Sequence, residues 1–352
     1  MSTPPGPPSP PHKRRSRYPG THPRTFEQRY KERDAEKYPE IVPLVLAKGR
    51  TPAGQHVPIL VEELLETLAP ARGERAVDAT LGHGGHARRL LERLAPGGMV
   101  LGLDVDPIEL PKTEARLRSL GHDERSFVAR RSNFAGLLKA MGEQGWHDGA
   151  DVILADLGVS SMQLDDPARG FTFAAEGPLD MRMNPSRGPT AAEWLERQSE
   201  DELAEVLREN ADEPHAARIA GALLRSRGRL ATTPALADAV RQALAGEADG
   251  EETEQSIRRV FQALRIAVND EFGALDSLLR ALPQALRPGG RVAILSFHSG
   301  EDRRVKQAFR AGERSGVYEA VAPDVIRASP KERHDNPRSR PAKLRWARRS
   351  RA

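Results

Sequence analysis

The segment Asp78-Ala-Thr-Leu-Gly82-His-Gly84-Gly85-His86 lies between a short apolar run, Ala76-Val77-Asp78, and an amphipathic stretch at 84–95. A strand that enters a helix through glycines leaves backbone amides free at the helix N-terminus. It also lets a ligand approach the main chain, because glycine has no Cβ and accepts positive φ. Further strands are expected at 99–104, 126–130, 151–156 and 291–297, with helices near 107–119 and 133–141 between the first of them. Strands alternating with helices imply a parallel sheet wound by right-handed crossovers, with ligands held beyond the C-terminal ends of the strands.

After Asp156 the alternation stops. Leu195, Leu203, Val206 and Leu207, then Ile219, Leu223 and Leu224, then Leu236, Val240 and Leu244 recur at helical spacing. Residues 166–258 therefore read as an inserted helical subdomain, suited to RNA recognition, between the two parts of the sheet domain, 55–165 and 259–352. The stretch 245–256, rich in Gly, Glu and Asp, reads as a solvated loop closing the insertion. Phe261, Leu264, Val268, Phe272, Leu275 and Leu279 mark one stripe of a long helix returning to the sheet. Arg287-Pro-Gly-Gly290 is expected to turn into the last core strand, and 317–321 and 343–347 to pair as a closing hairpin.

The chain contains no cysteine, which excludes disulfides, thiolate metal sites and cysteine nucleophiles together. It has no apolar run of about 18 residues and no apolar stretch near the start resembling a signal peptide, so a cytoplasmic protein without a membrane partner is expected. The net charge of +4 is modest but unevenly placed: residues 1–54 carry eleven Lys or Arg against five acids, and 325–352 carry ten against two. Basic ends suit a phosphate-bearing partner. The proline-rich first 20 residues are too poor in apolar groups to fold, making 1–54 a partly disordered extension, whereas the last 28, with Arg338, Arg340, Lys343 and Arg345, are expected to meet RNA.

Asp104 follows Gly84 by twenty residues at the end of the second strand, where a carboxylate can accept both hydroxyls of a ribose. No Gly-Lys-Ser/Thr follows the glycines, which argues against a P-loop. A dinucleotide and S-adenosylmethionine both fit a strand, glycine loop and acid. Asp78, just before the glycines, favours S-adenosylmethionine, since it can receive an amino group and would repel a pyrophosphate. A nicotinamide-dependent oxidoreductase is the rival reading. His83 and His86 lack a third nearby ligand, so no metal is expected.

The chain resembles the RsmH/MraW family of methyltransferases from His56 to about Arg345. Besides the Asp78 to His86 loop, the resemblance rests on Asp156-Leu-Gly-Val-Ser160-Ser161-Met-Gln163-Leu-Asp-Asp166, Arg169-Gly-Phe-Thr-Phe173 and Leu179-Asp-Met-Arg-Met183. It continues through Phe261-Gln-Ala-Leu-Arg-Ile-Ala-Val-Asn-Asp-Glu271, Ser296-Phe-His-Ser-Gly-Glu-Asp-Arg303 and Asn336-Pro-Arg-Ser-Arg-Pro-Ala-Lys-Leu-Arg345. The chain departs from the family pattern at Asn210-Ala-Asp-Glu-Pro214, at Gln255-Ser-Ile-Arg-Arg259 and at Gly300, which bears on acceptor contacts rather than on the methyl donor. The resemblance implies a Rossmann-like class I methyltransferase α/β sheet with an inserted all-helical subdomain. It implies transfer of methyl from S-adenosylmethionine to N4 of a cytidine in the decoding centre of 16S ribosomal RNA, free or in the small ribosomal subunit. It also implies cofactor contacts from Gly84, Gly85, His86, Asp104, Phe134, Asp156 and Gln163. A homodimer is left open.

The exocyclic amine of cytosine is a weak nucleophile, and a group that accepts its N–H bonds localises the lone pair. Asp156 is the candidate acceptor, assisted by Ser160 or Ser161. Carbon-5 methylation of a pyrimidine ordinarily needs a cysteine adduct, so nitrogen or oxygen is the expected acceptor atom. His298, Glu301 and Asp302 follow the last core strand and either support the site or contact RNA; Arg182, Arg259 and Arg265 either bind phosphate or are paired. A non-catalytic RNA-binding assembly factor that keeps the fold is the remaining alternative.

Overall fold

The computed structural model describes residues 58–351, apart from the side chain of Ser161; the expected extension 1–54 lies outside them. One sheet is built from β1 Arg75–Asp78, β2 Met99–Asp104, β3 Phe127–Arg131, β4 Ala150–Asp156, β5 Leu286–Ser296, β6 Tyr318–Val321 and β7 Lys343–Arg349. The strand order is β3-β2-β1-β4-β5-β7-β6. Pairing is parallel from β3 through β5, and β7 runs antiparallel to both β5 and β6. This is the expected Rossmann-like, doubly wound α/β sheet, and the closing hairpin is β6 with β7.

Side chains alternate between the two faces, as strand geometry requires. Val152 and Leu154 of β4 pack with α1 Val61–Leu68, α2 Gly85–Leu94 and α3 Glu109–Ser119. Ile153 and Ala155 face the opposite layer, which contains α4 Leu137–Glu143. The chain then leaves the sheet through α5 Ser161–Asp165 into α6 Ala191–Leu195, α7 Glu200–Ala211, α8 Ala216–Arg225, α9 Thr233–Leu244 and α10 Gly250–Asn269. Leu195, Leu203, Leu207, Ile219, Leu223, Leu236, Val240 and Leu244 are buried together in a second core, with Val206 and Leu224 packed at its edge. That core extends from Phe171 to Leu264, so the boundary expected at 258/259 falls inside α10.

Two expectations about this region are corrected. The acidic stretch at 245–256 is not all loop: Asp249 accepts from the Glu252 amide as N-cap of α10, and Glu251 and Glu252 in its first turn complement the helix dipole. Nor is the returning stripe one helix. Asp270 adopts φ 48°, ψ 45°, and the chain restarts as α11 Glu271–Ala285, which carries Leu275 and Leu279 back onto the sheet. Arg287-Pro-Gly-Gly290 is absorbed into β5, where Gly289 has φ 76° and the register against β4 shifts between Ala150 and Val152. The chain finishes through α12 Ser299–Arg314, β6, α13 Pro330–Asp335 and β7.

Candidate active site

A cavity of about 940 Å³ opens beyond the C-terminal ends of β1, β2, β4 and β5, the end where a doubly wound sheet holds ligands. Its volume lies at the upper end of ordinary small-molecule sites, ~300–1,000 Å³. Gly85, His86, Asp104, Phe134, Asp156, Ser160 and Gln163 all line it. Gly84 does not border the cavity; it sits behind it as the N-cap of α2 at φ 72°. A Cβ there would lie 2.9 Å from Cγ2 of Thr113 on α3, so this glycine serves helix packing. Gly82, part of the same loop but outside the expected contact set, lines the cavity in its place.

Asp104 is fixed by two amides. Gly82 N donates to its Oδ2 at 2.7 Å, and Asp106 N donates to its Oδ1 at 2.8 Å. Burial lifts its carboxyl above the usual range, against the pull of those amides. Each oxygen keeps a further lone pair for a ligand hydroxyl. Phe134 opens a turn after β3, where Asn133 caps the chain by accepting from Ala135 N, and it lines the same cavity as Asp104.

Asp156 closes β4, and its amide donates to Thr80 Oγ1 at 2.6 Å. Its side chain is 23% exposed, yet Oδ1 is buried with no hydrogen-bond partner among the described residues. Burial, with the Glu301 carboxylate as a second cause, pushes its pKa up to about 7. Oδ2 lies 3.6 Å from Nδ1 of His86. Nε2 of His86 is 3.0 Å from the Ile59 carbonyl oxygen, which can only accept, so Nε2 carries the ring proton. Burial lowers the His86 pKa, leaving a neutral imidazole with its basic nitrogen towards Asp156. Asp78, 1% exposed behind the loop, is likewise raised to about 6 by burial.

The model of the MraW methylase family matches residues 53–350. The chain belongs to that family. Among relatives of this methylase, the "Ribosomal RNA small subunit methyltransferase H 1" of Lachnoclostridium phytofermentans is 48% identical over 344 residues, 96% of this chain and 93% of that protein. The "Ribosomal RNA small subunit methyltransferase H 2" of Alkaliphilus metalliredigens is 48% identical over 340 residues, covering 95% and 97%. The "Ribosomal RNA small subunit methyltransferase H" of Rubrobacter xylanophilus is 43% identical over 310 residues, covering 84% and 96%.

In the methylase, Ser160 and Gln163 also have structural duties. Ser160 N-caps α5, accepting from Gln163 N, while Gln163 Oε1 accepts from Ser160 N. Gln163 Nε2 donates to Asp106 Oδ2 at 2.8 Å, and Arg169 Nη1 donates to the same oxygen at 2.8 Å. Arg169 further donates to the carbonyls of Arg182 and Met183. Asp106, two residues beyond the ribose-acid candidate, thus ties three segments of the cavity wall together, a role the sequence did not reveal. Asn269 is a second hidden clamp: it accepts from Met183 N at 2.7 Å and donates to Met181 O at 2.8 Å, holding a loop whose Met181 has φ 61°.

The candidate phosphate ligands divide. Arg265 is bidentate to Glu271 at 2.8 and 2.9 Å on the cavity wall, and Arg182 is paired with Asp180. Arg259 lies 3.9 Å from buried Glu213. Arg345, 8% exposed, donates to Asp302 at 2.6 Å, and Lys343 approaches the same carboxylate at 3.4 Å. Their expected meeting with RNA is corrected: both sit in β7 bound to α12. Arg338 pairs with Asp165 and Arg340 is exposed, and these two do border the cavity. His298 lies 3.2 Å from Oε1 of Glu301. Burial alone would raise Glu301, but His298, Arg265 and the Phe297 amide hold it below its usual range, an anion beside Asp156.

Proposed function

We propose that this methylase transfers a methyl group from S-adenosylmethionine to N4 of a cytidine in 16S ribosomal RNA, in the decoding centre of the small subunit. The observation that carries the reading is Asp156: an incompletely satisfied carboxyl, pushed up to about 7, on the wall of a cavity that also presents Asp104, Phe134 and a glycine loop. Oδ1 is sealed from solvent, so it is the remaining, exposed part of the Asp156 side chain that a ligand in the cavity meets. The small-subunit ribosomal RNA named in the relatives' descriptions supplies the substrate class.

The residues fit S-adenosylmethionine. Asp104 would accept the ribose hydroxyls, Phe134 would cover the adenine, and Gly82 and Gly85 would let the main chain approach it. When bound, the cofactor supplies an electrophilic methyl on a sulfonium. A cation beside Asp156 favours its charged form. The carboxylate then accepts the cytosine amine hydrogens and holds the nitrogen lone pair in line for transfer. The surplus proton is held at Oδ2, facing the basic Nδ1 of His86 at 3.6 Å.

Incubation of the protein with unmodified small ribosomal subunits and a methyl-labelled cofactor, followed by nucleoside mass spectrometry, tests the reading. N4-methylcytidine is the expected product. Label on ribose or carbon 5 would refute the reaction. Cofactor binding with no transfer to naked RNA or to subunits would favour a non-catalytic assembly factor.

A further inference from the structure

The outward face of α12 is strongly basic and is used by none of the chemistry above. Arg303, Lys306, Arg310 and Arg314 follow one another at spacings of three, four and four residues, which places them along one stripe of the helix. Arg303, Arg310 and Arg314 are exposed, Lys306 is half-buried, and with Gln307 they frame a shallow groove of about 350 Å³. Arg304, off this stripe, is committed elsewhere: it stacks 3.9 Å over Phe272 and lies 3.5 Å from Asp276. Among the described residues, Arg303 is the stripe cation with an ion-pair partner, Asp212 at 3.7 Å. Lys306, Arg310 and Arg314 have no carboxylate partner among the described residues, although Glu313 flanks the stripe. Holding that many like charges on one exposed helix face is unfavourable unless a polyanion neutralises them.

The position of the stripe says what the polyanion is. Glu301, in the first turn of the same helix, lines the active-site cavity, and Arg303 lies about 200° further round the helix, so the stripe begins at the cavity end of α12 but on its opposite, outward face. From Arg303 to Arg314 it extends roughly 16 Å at 1.5 Å per residue, enough to follow several phosphates of one strand. Asp212, at the end of α7, meets Ser299 and Arg303, so the stripe also joins the inserted helices to the sheet domain. No aromatic side chain stands among its cations to stack on a base.

We infer that the outward face of α12 docks the phosphate backbone of the substrate RNA outside the target nucleotide, reading charge and not sequence. This rests on the reading of ribosomal RNA as substrate. The test uses the full chain with Lys306→Gln, Arg310→Gln and Arg314→Gln combined, and Arg310→Glu alone as a milder second variant. Binding to an unmodified transcript of small-subunit ribosomal RNA is measured across a salt series. The triple variant should bind about tenfold or more weakly at 0.15 M salt, and its log-log salt slope should be shallower by roughly 2 to 3, since each phosphate contact contributes ~0.7–0.9. Transfer at saturating RNA should be unchanged. An unaltered slope in both variants would overturn the inference. So would a loss seen only on vesicles of anionic phospholipid, or only towards an acidic protein. If the wild-type chain binds the transcript but methylates no RNA, the reaction assigned above fails while the slope still decides the docking surface.

Discussion

Oδ2 of Asp156 faces Nδ1 of His86 at 3.6 Å, and the opposite nitrogen of that ring is committed to the Ile59 carbonyl oxygen at 3.0 Å. The end of β4 and the start of α2 therefore present an acid and a neutral base to one cavity, the acid being the group whose pKa is raised. For a carboxyl raised from 3.8 to about 7, the folded state holds the proton more tightly than the unfolded chain. Its stabilising contribution is complete below pH 3.8 and is lost as pH rises through about 7.

Asp156→Asn, which keeps the size and removes the charge, should therefore raise Tm at pH 8. The expected gain is roughly 2 to 4 °C for each kcal/mol of relieved charge burial. The gain should shrink as the pH is lowered through 5. A calorimetric series showing the largest gain at low pH would contradict the burial of this charge.

Asp104→Ala should weaken S-adenosylmethionine binding by about 1 to 3 kcal/mol, through loss of a charged acceptor for two hydroxyls. Because Asp104 also receives the amides of Gly82 and Asp106, the loop should loosen, and Asp104→Asn should recover part of the fold but little of the affinity. Titration calorimetry on both folded variants measures this; unchanged affinity removes Asp104 from the site.

Gly84→Ala should destabilise the protein by about 1 to 3 kcal/mol, since the new Cβ meets Thr113 at 2.9 Å on a backbone at φ 72°. Combining it with Thr113→Ser removes the clashing methyl and keeps the hydroxyl that donates to Gly82 O. The double variant should regain part of the loss in thermal unfolding, leaving the cost of the positive φ.

How far these contacts could be read from the sequence depends on their range. The strands, the glycine loop, Asp104 and Asp156 are local features, set by alternation and by position at strand ends. Asp270 was hidden because Phe261, Leu264, Val268 and Phe272 stay in helical phase across it, and periodicity does not register one left-handed residue. Asn269 binds residues 86 and 88 positions away, and Arg345 meets Asp302 from 43 away. Such pairings decide whether a basic residue faces solvent or an acid, and local charge counts cannot report them.

Arg345 and Arg340 separate those two fates. Arg345→Gln should cost about 1.5 to 3 kcal/mol of stability, because it removes the closer, charge-assisted partner of Asp302 and leaves that carboxylate only Lys343 at 3.4 Å, and should leave the salt slope of RNA binding unchanged. Arg340→Gln, exposed at the cavity rim, should do the reverse, with stability kept and the slope shallower by about 0.7 to 0.9. Unfolding curves and salt titrations on the two variants decide it.

The most direct test of Asp156 as acceptor for the amine hydrogens is the single-turnover rate of methyl transfer by Asp156→Asn. It is measured at saturating S-adenosylmethionine and saturating unmodified small subunits, so that weaker cofactor binding cannot mimic slower transfer. The expected result is a fall of about 10²-fold or more in a folded protein, in line with losing one electrostatic partner of a developing charge. A wild-type rate under these conditions would contradict the role.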